Sequence, residues 1–142
     1  MNSRNLKSAL QEYNQVGVHS SVEGANPHQL IQLLLDSALD KIRVAKGHML
    51  HQQIEQKGAN ISSAILIIEG LRASLDKNSG GEIAENLENL YSYMELRLME
   101  ANLKNDPAIM TEVVGLLGEI REAWAAIKDQ VQQVPAVAGV AR

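Results

Sequence analysis

Between Ser79 and Lys104 the apolar residues Ile83, Leu87, Leu90, Met94, Leu98 and Ala101 recur at intervals of three and four. That spacing lays side chains along one stripe of an α-helix. Ala84 and Tyr91 widen the stripe, and Ser79 with Glu82 three residues later has the form of a capping box that starts the helix. At about 100° per residue, Leu96, Met99 and Leu103 fall on the opposite side. A helix that is apolar on two opposite sides is either deeply buried or holds surface for a partner. Any fold of this chain must therefore bury one face of this helix and find a use for the other.

The flanking sequence supplies helices to pack against it. Asn26-Pro27 is a helix start, with Asn as N-cap, Pro at the first helical position and Gln29 completing the cap. Leu30, Leu34, Ala38, Ile42, Ala45 and Met49 give that helix a core face, broadened by Leu33, Leu35, Leu39 and Val44, and it fades near His51. A second helix is expected from about Gln53 to Asp76, with Ile54, Ile61, Ala64, Ile65, Ile68, Leu71 and Leu75 inward. Its other side carries Ala59, Ser63, Leu66, Gly70 and Ala73. Small residues there suit either a close-approaching partner backbone or a plain exposed face. Gly70 favours the partner, since Gly inside a helix costs about 1 kcal/mol against Ala. Lys77 to Gly81 reads as a tight turn. After the 79–104 helix, Asn105 ends it and Asp106-Pro107 starts another. Ile109, Val113, Leu116, Ile120, Trp124, Ile127 and Val131 then alternate by three and four.

Four long helices with short connections predict an all-α antiparallel up-down four-helix bundle. An additional short N-terminal helix is expected over residues 3–15, with Leu6, Leu10 and Tyr13 on one side. A helix of about a dozen residues is marginal alone in water and needs a surface to lie on. The expected organisation is a mobile N-terminal cap segment (1–16), a linker (17–25), the bundle domain (26–134) and a disordered tail (135–142). The linker can span up to about 30 Å, enough to cross the bundle.

Composition narrows the function classes. The 142 residues suffice for one domain with a core. A net charge of -4 argues against a non-specific nucleic-acid surface. No run of 18 apolar residues suggests a membrane span, and no basic stretch followed by an apolar core suggests a signal peptide. With no Cys there are no disulfides or thiolate metal sites. Together these favour a soluble cytoplasmic protein. The sequence carries no Gly-rich phosphate loop, no Cys nucleophile, no His-Glu-x-x-His pattern and no Glu-x-x-His pair of a di-iron bundle. His48, His51 and Glu55 read as a solvated polar patch near a helix end, and Glu82, Glu85 and Glu88 as a solvated acidic face. Neither an enzyme nor a cofactor or metal is expected. Tyr91 and Trp124 read as core, while Tyr13 is either a permanent docking contact or a releasable plug.

These residues, in this order, resemble the flagellin export chaperones of bacterial flagella, the FliS type. The resemblance covers roughly residues 10–127. It rests on Tyr13 with Val16, Pro27-His-Gln-Leu-Ile31, Gly70-Leu-Arg-Ala-Ser-Leu-Asp76, Ile83-Ala-Glu-Asn-Leu87, Leu90-Tyr-Ser-Tyr-Met94, Ala101-Asn102 and Trp124. No single piece is specific, but the ordered series is. The chain departs from the family at Leu34-Leu-Asp-Ser-Ala38, where Leu-Tyr-Asp-Gly-Ala is frequent, so a tyrosine role at position 35 does not carry over.

The resemblance implies a cytoplasmic helical bundle that binds the C-terminal disordered region of flagellin, which becomes helical as it wraps the bundle. It implies that premature polymerisation is prevented and delivery to the flagellar type III secretion apparatus supported. Export-apparatus components and another flagellar regulator are further candidate partners. In the family, the N-terminal segment around the tyrosine covers a groove and moves aside. Here the expected groove residues are Ala59, Ser63, Leu66, Gly70, Leu96, Met99 and Leu103, and the expected cap is Leu6, Leu10 and Tyr13. The free protein is expected to be a monomer or a weak homodimer. A self-associating structural bundle with no export role is the alternative.

Overall fold

The computed structural model describes residues 26–128. They form four helices, α1 (Pro27–Leu50), α2 (Ile54–Ala73), α3 (Lys77–Lys104) and α4 (Pro107–Ala126), and no strand. The expected cap segment with Leu6, Leu10 and Tyr13, the linker, the tail and Val131 lie outside the described residues.

Local sequence fixes most helix ends. At the start of α1, Asn26 Oδ1 accepts from the Gln29 backbone N–H at 2.8 Å. Gln29 Oε1 accepts from the Asn26 N–H at 3.0 Å, which closes the expected capping box. α4 starts as expected from Asp106, whose carboxylate accepts from Ala108 N–H at 3.0 Å, with Pro107 just inside. α3 ends at Asn105 in the left-handed conformation (φ 51°), which Asn tolerates better than most residues. The start of α3 departs from expectation. Its N-cap is Asp76, which accepts from Ser79 N–H at 3.0 Å, so Ser79 is not the cap. One helical turn follows, and the chain then kinks at Gly81 (φ 55°, ψ −128°). Glycine is needed at this step because L side chains resist positive φ. Gly80 is needed too, since a Cβ there would lie 2.7 Å from Ala84 Cβ.

α1 packs against α2 and α4, and α3 packs against the same two helices. The core between them contains Leu34, Leu35, Leu39, Ile42, Ile61, Ile67, Ile68, Leu71, Met94, Leu98, Met110 and Leu117, all essentially inaccessible. Burying one such side chain is worth about 1.5–3 kcal/mol and a helix cap about 1 kcal/mol. Packing therefore outweighs the caps in holding the helices together. Tyr91 is buried as expected, and burial pushes its phenol up to about 12. The buried centre of α4 is Ile109, Met110, Val113 and Leu117. Leu116, Ile120 and Trp124 pack at its edge, half-buried.

Three residues expected in the core are exposed: Val44, Ile54 and Ile83. Val44 looks into a groove between α1 and α4 whose far wall includes Gly115 and Gly118, which have no side chain to cover it. Ile54 is the first residue of α2, at the reversal where the chain turns outward. Ile83 follows the Gly81 kink near the start of α3. Arg72, one residue before the end of α2, already meets Ser92, so α2 has no turn left to lie over Ile83.

Candidate partner-binding surface

Two clasps set the register of α2 against α3. Near the start of α2, Lys57 is buried, and its Nζ donates to the Asn102 carbonyl at 3.0 Å and to Asn105 Oδ1. It thus holds the C-terminal end of α3, where the helix dipole favours a cation. Near the end of α2, Arg72 Nη1 donates to Ser92 Oγ at 2.8 Å. Lys57 sits on the same stripe as Ile61, Ala64 and Ile68, so a lone cation at an apolar-phase position was the signal that could have marked it.

The groove candidates on both helices lie in the stretches that these clasps bracket or adjoin, Ala59, Ser63 and Leu66 on α2 and Leu96, Met99 and Leu103 on α3. Leu96 is 63% exposed, Met99 52% and Leu103 85%, so the second apolar side of α3 faces outward. On α2, Ala59 is exposed and Ser63 and Leu66 are half-buried, but Gly70 is buried. Six of the seven groove candidates thus keep accessible surface. The described structure presents no side of Gly70 to solvent.

One polar group at the Leu96 end is unlike its surroundings. Glu95 reaches toward α2, where Arg72 Nη1 lies 3.5 Å from its Oε1. Its side chain is only 12% exposed, and its Oε2 is buried with no hydrogen-bond partner. Leaving such an acceptor unmet costs about 1–3 kcal/mol. Burial pushes the Glu95 carboxyl up to about 6; Arg72 works against this and the Glu69 carboxylate adds to it. No sequence signal marked this residue.

Two other seams, α1–α4 and α3–α4, are bridged by polar contacts. On α1 and α4, the Trp124 and His28 rings stack 4.7 Å apart. Trp124 Nε1 donates to the His28 carbonyl at 2.9 Å, and His28 Nε2 lies 2.8 Å from the Trp124 carbonyl. Farther along, Arg121 pairs with Asp36, and Lys46 donates to Thr111 Oγ1 at 2.8 Å. Between α3 and α4, Glu112 accepts from Tyr93 Oη at 2.5 Å and Arg97 Nε at 2.8 Å. These bonds, Tyr93's first, hold the Glu112 carboxyl below the usual range. A further exposed apolar pair, Leu50 and Ile54, flanks the α1–α2 turn.

Among the described residues no group of three His, Cys, Asp or Glu could hold a metal ion, and His48 instead meets Gln53 Oε1 at 2.6 Å. No described helix is long and apolar enough to cross a membrane.

Residues 9–131 match the family model of the flagellar protein FliS. The chain belongs to the FliS family. Its relatives include flagellar secretion chaperone FliSB of Pseudomonas aeruginosa, 47% identical over 119 residues, which cover 84% of this chain and 94% of the relative. Flagellar secretion chaperone FliS of Salmonella typhimurium is 47% identical over 121 residues, 84% of this chain and 90% of the relative. That of Vibrio cholerae is 34% identical over 131 residues, 92% of this chain and 96% of the relative. Each of these three relatives is covered over 90% or more of its own length.

Proposed function

We propose that this chain is a non-enzymatic cytoplasmic flagellar secretion chaperone that binds the C-terminal region of flagellin. In this reading it prevents premature polymerisation and supports delivery to the flagellar type III secretion apparatus. The observation that carries it is the exposed apolar row Leu96, Met99 and Leu103 on α3, in a chain of the FliS family; Ala59, Ser63 and Leu66 of α2 are proposed to extend that face. A segment that folds as an amphipathic helix lays its apolar side into such a face. Ordering that segment consumes part of the contact energy, which keeps the complex releasable.

The helices form an antiparallel up-down bundle in this proposal. It is supported by the reversed pairing of His28 with Trp124 and Lys46 with Thr111, and of Lys57 with Asn102 and Arg72 with Ser92. Residues 1–16 act as a releasable cover, anchored by Leu6, Leu10 and Tyr13. A cover that is closed most of the time lowers apparent affinity by the fraction of molecules left open. Far-UV circular dichroism of the chain mixed with a flagellin C-terminal fragment tests the proposal. Helix content above the sum of the parts, with a one-to-one mass by size exclusion, is expected. Additive spectra with self-association of the chain alone would favour a structural bundle instead.

A further inference from the structure

Beside the polar contacts of the α1–α4 pair runs an open groove of about 830 Å³. Val44 of α1 and Val114, Gly115 and Gly118 of α4 line it. Val44 is 47% exposed, and a Cβ added at Gly115 or Gly118 would meet nothing within 4 Å. Glycine inside a helix costs stability against alanine, yet no described neighbour uses the room these two leave. Acids outnumber bases on the rim by four to three, Asp40 and Glu119 among them. The groove therefore suits a narrow segment that approaches closely, with small apolar side chains and a positive charge.

The chain itself carries such a segment. Val131, Val134, Val137 and Val140 recur every three residues, and Arg142 is the only charged residue after Asp129. Pro135 breaks a helix here and biases Val134 toward extended backbone. In a polyproline II strand three residues make one turn, so these valines share one edge. Residues 132–142 also lie beyond the family match, which ends at 131.

The length fits. The described chain stops at residue 128, just past α4. At 1.5 Å per residue, Gly118 lies about 15 Å back along the helix and Val114 about 21 Å. At 3.1 Å per residue, an extended strand leaving residue 128 covers about 28 Å by Val137 and about 37 Å by Val140. Both valines can reach the groove with length over for the reversal.

We propose that residues 131–142 turn back along α4 and dock in the α1–α4 groove, with Val137 over Gly118 and Val140 against Val44. Arg142 brings the positive charge that the rim lacks. The valines and Val44 remove each other from water, while ordering the segment's backbone opposes docking, so the segment exchanges on and off. This face is separate from the α2–α3 surface, and the inference does not rest on the flagellin reading.

The chain has no cysteine, so disulfide trapping in the full-length protein tests the proposal. Gly115→Cys with Ala138→Cys is compared with Ala123→Cys with Ala138→Cys. Ala123 is exposed on α4, outside the groove and nearer the point where the segment leaves. An undocked segment would trap the nearer cysteine at least as fast, because the loop to be closed is shorter. Docking should make the Gly115 pair close faster, by roughly fivefold or more. Gly118→Leu fills the groove in open space, and should erase that preference without lowering the melting temperature. In a second readout, Val137→Asp should shift the amide NMR signals of Val44 and Gly115, and Leu10→Asp should not. Equal or reversed trapping rates, or a preference that survives Gly118→Leu, would overturn the proposal. Disulfides formed between two chains would give the groove to a second copy, and shifts on Leu10→Asp alone would give it to the N-terminal segment. Either result would overturn it as well.

Discussion

The α1–α4 and α2–α3 seams are both long helix pairs, stitched by polar contacts in reversed order, yet they are finished differently. The α1–α4 seam is closed at three levels, by His28 with Trp124, Asp36 with Arg121 and Lys46 with Thr111. The α2–α3 seam is closed toward its ends, by Lys57 and Arg72. Its middle carries leucine and methionine exposed by half or more. Polar stitches fix the geometry of a seam but give little for a partner to bury. An apolar stretch between two stitches keeps both helices in place while leaving area to be covered. In the proposed reading the first seam is a strut and the second a platform.

Breaking the strut should have the largest effect on stability. Trp124→Ala removes the stacked ring and its hydrogen bond to His28 and leaves a void beside Ile120. The expected loss is about 3 kcal/mol, below the upper range for aromatic truncation because Trp124 is half-buried. Chemical denaturation would measure it, and a loss under about 1 kcal/mol would mean that α4 does not depend on this contact. Affinity for flagellin, measured where the variant is folded, should change little.

Opening the platform's Lys57 clasp comes next. Lys57→Ala removes the donor to the half-buried Asn102 carbonyl and to the exposed Asn105 side chain, where water can take its place in part, so a loss of about 1 kcal/mol is expected. Amide exchange should rise selectively near the C-terminal end of α3. A uniform rise along the chain would show that the clasp supports the whole bundle instead of that end.

The core faces of α1 and α2 and most of the caps were legible because they depend on short-range pattern. Asn26-Pro27-x-Gln29 and Asp106-Pro107 each carry their own cap chemistry, and Leu34, Ala38, Ile42 and Ala45 hold one phase throughout α1. Leu96, Met99 and Leu103 were legible for the same reason, as a second phase on one helix. What could not be read depends on neighbours distant in sequence. Val44 has the right phase for the core and lacks only a side chain opposite, at Gly115 and Gly118. Ile83 keeps the phase of Leu87 but lies past the reach of α2. The Ser79-x-x-Glu82 pattern competed with Asp76-x-x-Ser79 three residues earlier, and the glycine pair decided the outcome by demanding a kink. Glu95 shows no local anomaly, because its missing partner is a property of α2.

Glu95 makes stability depend on pH. Its carboxyl titrates at about 6 in the folded chain, above the ordinary 4.5. Between those values the native state holds more proton than the unfolded chain, so this group's contribution falls as pH rises through that window and is lowest above pH 6. Glu95→Gln should therefore be more stable than wild type at pH 7 by about 1 kcal/mol, less than the full shift implies because the substitution also gives up the charge of the Arg72 contact. Thermal melts at pH 7 and pH 4.5 would show the advantage shrinking on acidification. A Gln variant destabilised at both would mean that the ionised carboxylate contributes more to the Arg72 contact than its burial costs.

The smallest stability effect gives the sharpest comparison of the two seams. Val44 is 47% exposed beside α4 and Met99 is 52% exposed on the platform. Each is a large apolar side chain on a helix surface, and changing either to glutamate should shift stability by no more than about 0.5 kcal/mol. Exposure and chemistry are nearly matched, so any difference in binding comes from location. Met99→Glu places a charge in the middle of the apolar row, where a docked helix would have to bury it, and should weaken flagellin binding at least tenfold. Val44→Glu adds a charge to a groove already rimmed by Asp36, Asp40 and Glu119, and should leave binding within twofold. Equal losses would show that the partner wraps far enough to use both seams, and the strut would then be a second platform. A loss at Val44 alone would move the binding face to α1 and α4. Side-by-side titrations of the two variants, with melts to confirm equal folding, would separate these outcomes.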